Sequence, residues 1–303
     1  MNVQRSFIAA SGGEKVSNGS GTLYLVGTPI GNLEDMTFRA IRTLKEVGLI
    51  AAEDTRQTRK LLTHFEISTR LVSYHEHNKE ASGMELIRLL EEGQSIALVS
   101  DAGLPAISDP GADLVKAAAE RDIVVVPIPG ANAALSALII SGLPTDRFTF
   151  MGFPPRERKS LNEWLKHSRK EQGTIICYES PHRVMKTLNA ILEQWGDRPI
   201  AMVRELTKRH EEAARGTVTE CIAWLSEHPP LGEYCLVIGG ASEADAEAAQ
   251  LAEDGRSWWK ELDIEEHVNR YEAELGDRKE AIKRAAQDRG LSKRDVYNEV
   301  MKK

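Results

Sequence analysis

A chain of 303 residues, 41% hydrophobic and 28% charged, has the make-up of a globular protein and is long enough for two domains that each bury a core. No apolar run reaches the length of a membrane span, and the first twenty residues lack an apolar stretch of signal-peptide size. Cys177, Cys221 and Cys235 show no CxxC spacing and read as buried thiols of a reducing cytoplasm, which excludes a zinc ribbon or a disulfide framework.

The formal charge of −7 argues against a nucleic-acid partner only until its distribution is read. Residues 240–275 hold eleven Asp/Glu and three Arg/Lys, so the rest of the chain is close to neutral. Two stretches are basic: RERKSLNEWLKHSRK (Arg156–Lys170), and the segment from Asp277 to Lys303 with nine Lys/Arg against five acidic residues. Such surfaces meet phosphates, and they also arise as solvated faces of amphipathic helices.

In chain order, residues 1–20 read as a flexible tail ending in Gly and Ser. From residue 22 onward, strand-length apolar runs alternate with stretches of helical period. LYLVGT precedes a helix with Met36, Ala40, Ile41, Leu44 and Val47 on one face. GLIAAED leads into TRQTRKLLTHF, SIALVSD into ADLVKAAAERD, and IVVVPIPG into ANAALSALIISG. Short buried strands each followed by a helix predict a parallel, layered α/β domain over residues 21–144.

A second α/β domain is expected over residues 145–240. Its strand-like runs are RFTFMGF, TIICYES, PIAMVREL and EYCLVIGG, with helices at Lys159–Arg169, His182–Trp195 and Thr217–Glu227. Thr217 and Glu220 have the spacing of a capping box. Residues 241–256 read as an acidic linker, and 257–303 as a small helical domain of helix-turn-helix size, with breaks at Gly276 and Gly290.

Ligands of parallel α/β sheets bind beyond the carboxyl ends of the strands, so the unusual strand ends are the candidate site. GTPIGNLED (Gly27–Asp35) occupies the place of a dinucleotide fingerprint without being G-x-G-x-x-G. VSDAGLPAISDPG (Val99–Gly111) is longer than a strand-to-helix turn needs and sets Asp101 at the strand end. PIPGANAA (Pro127–Ala134) opens a helix of small residues, a pattern that either leaves room for a flat ring or serves close packing on a sheet. In YESPHR, Ser180 and Pro181 suit helix initiation, which leaves Glu179, His182 and Arg183 clustered. AEDTRQTRK leaves Asp54, Arg56 and Arg59, and RELTKRHEE leaves Arg204, Glu205 and Lys208, at comparable junctions.

Taken in order, TPIGNLED, AEDTRQTRKLL, VSDAGLPAISDPG, VPIPGANAALSAL, MGFPP, YESPHR, RELTKRHEE and GEYCLVIGG resemble the ribosomal RNA 2′-O-methyltransferases of the tetrapyrrole methylase superfamily, over about Gly21 to Gly240. The terminal SKRDVYNEV resembles that family's small helical domain. The resemblance implies two α/β domains with S-adenosylmethionine in the cleft between them, a homodimer, no metal, and a decoding-centre cytidine of 16S rRNA in the small ribosomal subunit as substrate. It further implies a cofactor pocket of Pro29, Asp101, Leu104, Ile107, Asn132, Ala133, Tyr178 and Gly239, with Asp101 holding ribose hydroxyls or the methionine amine. Ser100 and Ala102 flank Asp101 where many superfamily members have glycine and proline, which suits the RNA branch better than the porphyrinoid one.

A ribose hydroxyl must lose its proton as it attacks a sulfonium carbon, so a general base is expected among Glu179, Asp54, Glu205, His182 and Lys208. Arg56, Arg59, His182, Arg183 and Arg204 are the candidates for holding RNA, the arginines because a guanidinium fork matches phosphate. The alternative is that these charges pair with one another across the cleft. A small-molecule or protein methylase of the same fold, and a non-catalytic RNA-binding protein, are the rival readings.

Overall fold

The computed structural model describes residue 4 and residues 19–247 and 258–301. Most of the expected tail, and the expected linker from residue 248 onward, lie outside the described residues.

Five strands, β1 (Thr22–Val26), β2 (Leu49–Ala52), β3 (Leu71–Ser73), β4 (Ile96–Val99) and β5 (Val124–Ile128), form a sheet in the order β3-β2-β4-β1-β5. Every neighbouring pair is parallel. Each crossover between them needs a covering helix, and α1 (Phe38–Glu46), α2 (Thr55–His64), α3 (Lys79–Glu91) and α4 (Gly111–Ala119) supply these. Covered on both faces, β2 and β4 are buried at every position, which explains apolar runs without alternation. Thr37 and Asp54 cap α1 and α2 by accepting backbone N–H bonds from Ala40 and Arg56.

Two elements of this sheet escape the periodicity. Strand β3 has only three residues, and α3 begins KEASG, so its apolar face (Leu86, Ile87, Leu90) gathers in the last turns.

The second sheet holds β6 (Phe148–Phe150), β7 (Thr174–Glu179), β8 (Pro199–Arg204), β9 (Glu212–Thr217) and β10 (Tyr234–Ile238) in the order β6-β7-β10-β8-β9. Only β6 and β7 run parallel; the other three pairings are antiparallel. One face is covered by α6 (Arg158–Ser168), α7 (Val184–Trp195) and α8 (Val218–Glu227), whose Leu165, Leu188, Ile191 and Leu225 pack with Ile175, Met202 and Leu236. The capping box of Thr217 and Glu220 opens α8 as its spacing predicts.

The other face is covered by α5 (Ala133–Ser141), which follows β5 of the first sheet. Its Ala134, Ala137 and Leu138 pack on Ile176, Ala201, Val203 and Val237. The small residues of this helix therefore serve close approach to a sheet, one of the two uses their pattern allowed.

By internal contacts the chain divides into two compact units, one containing both sheets and their helices, the other the C-terminal helices. The latter are α9 (Ile264–Leu275), α10 (Arg278–Arg289) and α11 (Lys293–Val300), packed around Val268, Ala281, Ile282, Ala285 and Val296. Gly276 and Gly290 end α9 and α10 in the left-handed conformation, at φ of 68° and 64°. Among the described residues no helix is long and apolar enough to cross a membrane, and no group of three or more His, Cys, Asp or Glu is arranged to hold a metal ion.

Candidate functional site

Beyond the carboxyl ends of the parallel sheet, three loops are locked together by backbone. The β1 and β4 loops are stitched at Thr28 and Gly103, whose N–H groups each donate to the other's carbonyl at 2.8 and 3.1 Å. Gly27 lies directly against Gly130 of the β5 loop: a Cβ at Gly27 would come within 2.8 Å of the Gly130 Cα. No other residue fits there, because the obstacle is main chain.

The long stretch after β4 has an internal explanation as well. Ala106 and Ser108 adopt left-handed φ values of 69° and 65°, and one oxygen of Asp109 accepts the N–H groups of Ala106 (2.9 Å) and Gly111 (2.7 Å). Asp109 thus holds a strained loop in a fixed shape, and strain of this kind gathers where a surface is shaped for a ligand.

These loops and the edge of the second sheet enclose a cavity of about 240 Å3. Ile30, Leu104, Ile107, Asn132 and Ala133 form one wall; Tyr178, Phe153, Leu206, Tyr234 and Cys235 form the other. Glu205, Lys208, Glu179 and Glu233 add polar groups to the lining. The Tyr178 hydroxyl accepts the N–H of Ala134 at 3.1 Å, joining β7 to the start of α5, and burial pushes its phenol up to about 12. Burial likewise pushes the Cys235 thiol up to about 12, so it is a neutral wall rather than a nucleophile.

The charged candidates separate by what holds them. Glu179 is only 2% exposed. Its oxygens accept the Ser180 N–H (2.8 Å) and the Thr187 hydroxyl (2.6 Å), and Arg183 lies 3.4 Å away. That carboxylate anchors the start of α7. Glu205 and Lys208 instead pair with each other at 2.9 Å inside the cavity, and the ammonium holds the Glu205 carboxyl below the usual carboxylate range. Their loop is strained, with φ of 50° at Glu205 and 66° at Thr207, and the Lys208 stem runs over Gly31, where a Cβ would collide with it.

Other expected residues are placed elsewhere. Asp54 caps α2 and grips Arg56 through both oxygens, which lowers its pKa, and it does not line the cavity. Arg183 donates to the carbonyls of Pro154 (2.9 Å) and Pro155 (2.8 Å), and Arg204 forms a two-pronged pair with Glu212 (3.0 and 3.1 Å), directly opposite on β9. Both guanidinium groups are engaged by partners within the fold. The pairs are local and do not cross between the sheets. Arg56, Arg59 and His182 are exposed.

Pro29 and Asp101 adjoin the lining at Ile30 and Ala102. The Asp101 carboxylate accepts the Asp54 N–H at 2.9 Å and so ties the ends of β2 and β4. Beside it the half-buried Glu53 has its pKa raised by burial and by the nearby Asp101 and Asp109. Gly239 does not belong to this set. Because β10 runs antiparallel to β7, with Tyr234 opposite Glu179 and Ile238 opposite Ile175, its carboxyl end lies at the far edge of the sheet, where the Gly239 N–H donates to Pro199.

Sequence reasoning missed Ile30, Phe153, Leu206, Glu233, Tyr234 and Cys235 of the lining. Phe153 carried a signal, an aromatic beside two prolines at a strand end. Tyr234 and Cys235 carried none, since only the antiparallel register turns the beginning of a strand toward the cavity.

A family model described as Tetrapyrrole (Corrin/Porphyrin) Methylases matches residues 22–222. Over 279 residues, 92% of this chain and 94% of its relative, the sequence is 56% identical to a protein named "Ribosomal RNA small subunit methyltransferase I" from Halalkalibacterium halodurans. A protein of the same name from Bacillus subtilis is 54% identical over 92% of this chain and 93% of its own length. Among solved structures, uroporphyrin-III-C-methyltransferase from Thermus thermophilus superposes with a TM-score of 0.52 at 22% identity, covering 76% of this chain and 98% of its own, a likeness of fold.

Proposed function

Because the chain belongs to the tetrapyrrole methylase family, we propose that it methylates the ribose 2′-oxygen of a decoding-centre cytidine in 16S rRNA, using S-adenosylmethionine and acting on the small ribosomal subunit as a cytoplasmic homodimer. The observation that carries the substrate is the 56% identity, over 92% of the chain, to a relative named for the small-subunit ribosomal RNA. The cytidine, its position and the dimer follow the resemblance of the ordered motifs.

The cavity fits the donor by its chemistry. Apolar side chains (Ile30, Leu104, Ile107, Tyr178) suit a nucleoside, and the carboxylates of Glu205 and Glu233 suit a cationic sulfonium. Bound there, S-adenosylmethionine supplies an electrophilic methyl carbon. The protein's task is to align an acceptor oxygen with that carbon and to take up its proton.

Glu205 serves the second part of that task. A hydroxyl, unlike a ring nitrogen with a lone pair, needs a proton acceptor as it attacks. Lys208 keeps Glu205 ionised, and the pair sits on the lining. Glu179 is engaged by the Ser180 N–H, the Thr187 hydroxyl and Arg183 and acts through α7. Asp101, at the rim, takes a hydroxyl or ammonium group of the donor with its remaining acceptor capacity.

The test is transfer of labelled methyl from S-adenosylmethionine to small subunits from a strain lacking the enzyme, followed by mapping of the ribose methyl. Label on a cytidine 2′-oxygen is the expected result. Transfer to a porphyrinoid or protein alone, or binding of RNA with no donor affinity, would replace this reading by one of its rivals.

A further inference from the structure

Phe153 is 61% exposed although its loop is held at several points. Its neighbour Gly152 takes a φ of 63° and accepts the Tyr178 N–H at 2.8 Å. Pro154 and Pro155 fix the next two φ angles, and Arg183 clamps both of their carbonyls. From α7, Lys186 reaches the Arg156 carbonyl at 3.3 Å.

The ring is thus held in water, not left there by a loose loop, although burying a phenylalanine stabilises a fold by about 1.5–3 kcal/mol. One side leans on Tyr178 with centroids 5.4 Å apart and planes at 58°, and the ring borders the cavity. Immediately along the chain, Arg156, Arg158 and Lys159 are all exposed.

We propose that Phe153 is a stacking platform for the target nucleobase of the RNA, with Arg156, Arg158 and Lys159 meeting the flanking phosphates. The proposal rests on the RNA-methylating function argued above and adds the subsite that holds the acceptor. Every nucleobase offers a flat face, so a rigid aromatic surface beside cations binds an unpaired nucleotide without reading its edges. A base held at this rim brings the ribose joined to it toward Glu205 and Lys208. Arg183 and Lys186 are positioning residues, since they act through the loop.

The experiment compares the full-length enzyme with Phe153→Ala and Phe153→Trp on undermethylated small subunits, with donor affinity measured by calorimetry. Phe153→Ala should raise the KM for subunits about ten- to hundredfold, far more than it weakens donor binding, and leave the melting temperature unchanged because the ring contributes little to the core. Phe153→Trp should bring KM back toward the wild-type value. An Arg158→Gln, Lys159→Gln double variant should flatten the salt dependence of subunit binding by about one unit of slope per lost contact. If wild-type enzyme methylates subunits and Phe153→Ala does so with the same KM, the platform is overturned while the function stands. Donor affinity falling in step with turnover would also overturn it, by making Phe153 a wall of the donor site. Wild-type enzyme that methylates no RNA would overturn both.

Discussion

The loops of the parallel sheet are locked together around the cavity by backbone, and the mixed sheet presents the charged groups of its lining. On the first side, Gly27 against Gly130, the Thr28–Gly103 bridge and the Asp109-braced turn leave little that can move. On the second, the Glu205–Lys208 ion pair and the rings of Tyr178 and Phe153 line the cavity. On the function proposed above, the braced loops would keep the pocket's shape from one turnover to the next, and the charged side chains opposite would serve the proton transfer.

Substitutions on the two sides should therefore fail differently. The largest effect is expected at Glu179, where Glu179→Ala strands the Ser180 N–H and the Thr187 hydroxyl and should destabilise the fold by about 3 kcal/mol in denaturant titration. A Glu179→Gln enzyme that stays folded but inactive would instead make Glu179 the base. Glu205→Gln should lower kcat about hundredfold with the melting temperature kept, a loss larger than any fall in donor affinity from the missing charge. Its pH dependence carries a sign: Lys208 depresses the Glu205 pKa, so activity should be lost only as pH falls through that depressed value. In Lys208→Met the carboxyl pKa rises, and the acid limb of the pH–rate profile should move upward; a limb that stays in place would remove Glu205 from the reaction.

On the backbone side, Gly27→Ala forces a methyl into the Gly130 main chain and should cost about 2 kcal/mol together with donor binding. Calorimetry showing normal donor affinity in that variant would blur the division between the two walls. The smallest effect is expected for Arg204→Ala. Its partly exposed pair with Glu212 should contribute only about 0.2–1 kcal/mol, and the salt dependence of RNA binding should not change. A reduced salt slope would return Arg204 to the phosphates.

The parallel sheet was legible because β2 and β4 are buried on both faces and read as unbroken apolar runs, and because Thr37 and Asp54 cap the helices α1 and α2 that follow β1 and β2. Strand β9 was not legible: EAARGT carries no apolar alternation, and it lies at the sheet edge, paired only with β8. The resemblance put Gly239 in the pocket, and only the antiparallel register of β10 shows that this end of the strand lies away from the cavity. Loop residues with unusual chemistry were easy to single out, yet sequence could not separate a carboxylate engaged by its own helix (Glu179) from one paired inside a cavity (Glu205). Which partner a charge takes is a property of the tertiary fold.

Helix α5 carries a consequence for the molecule as a whole. It is continuous in chain with one sheet and buried on the other through Ala134, Ala137 and Leu138. A break in the chain just after it would not yield two self-sufficient halves: the leading piece would bear a greasy, uncovered ridge and the trailing piece a bare sheet, so the fragments should either find each other again or precipitate. For the same reason, admission and release of small molecules falls to the rim loops, because a rigid swing of one half against the other would have to tear this helix from its seat.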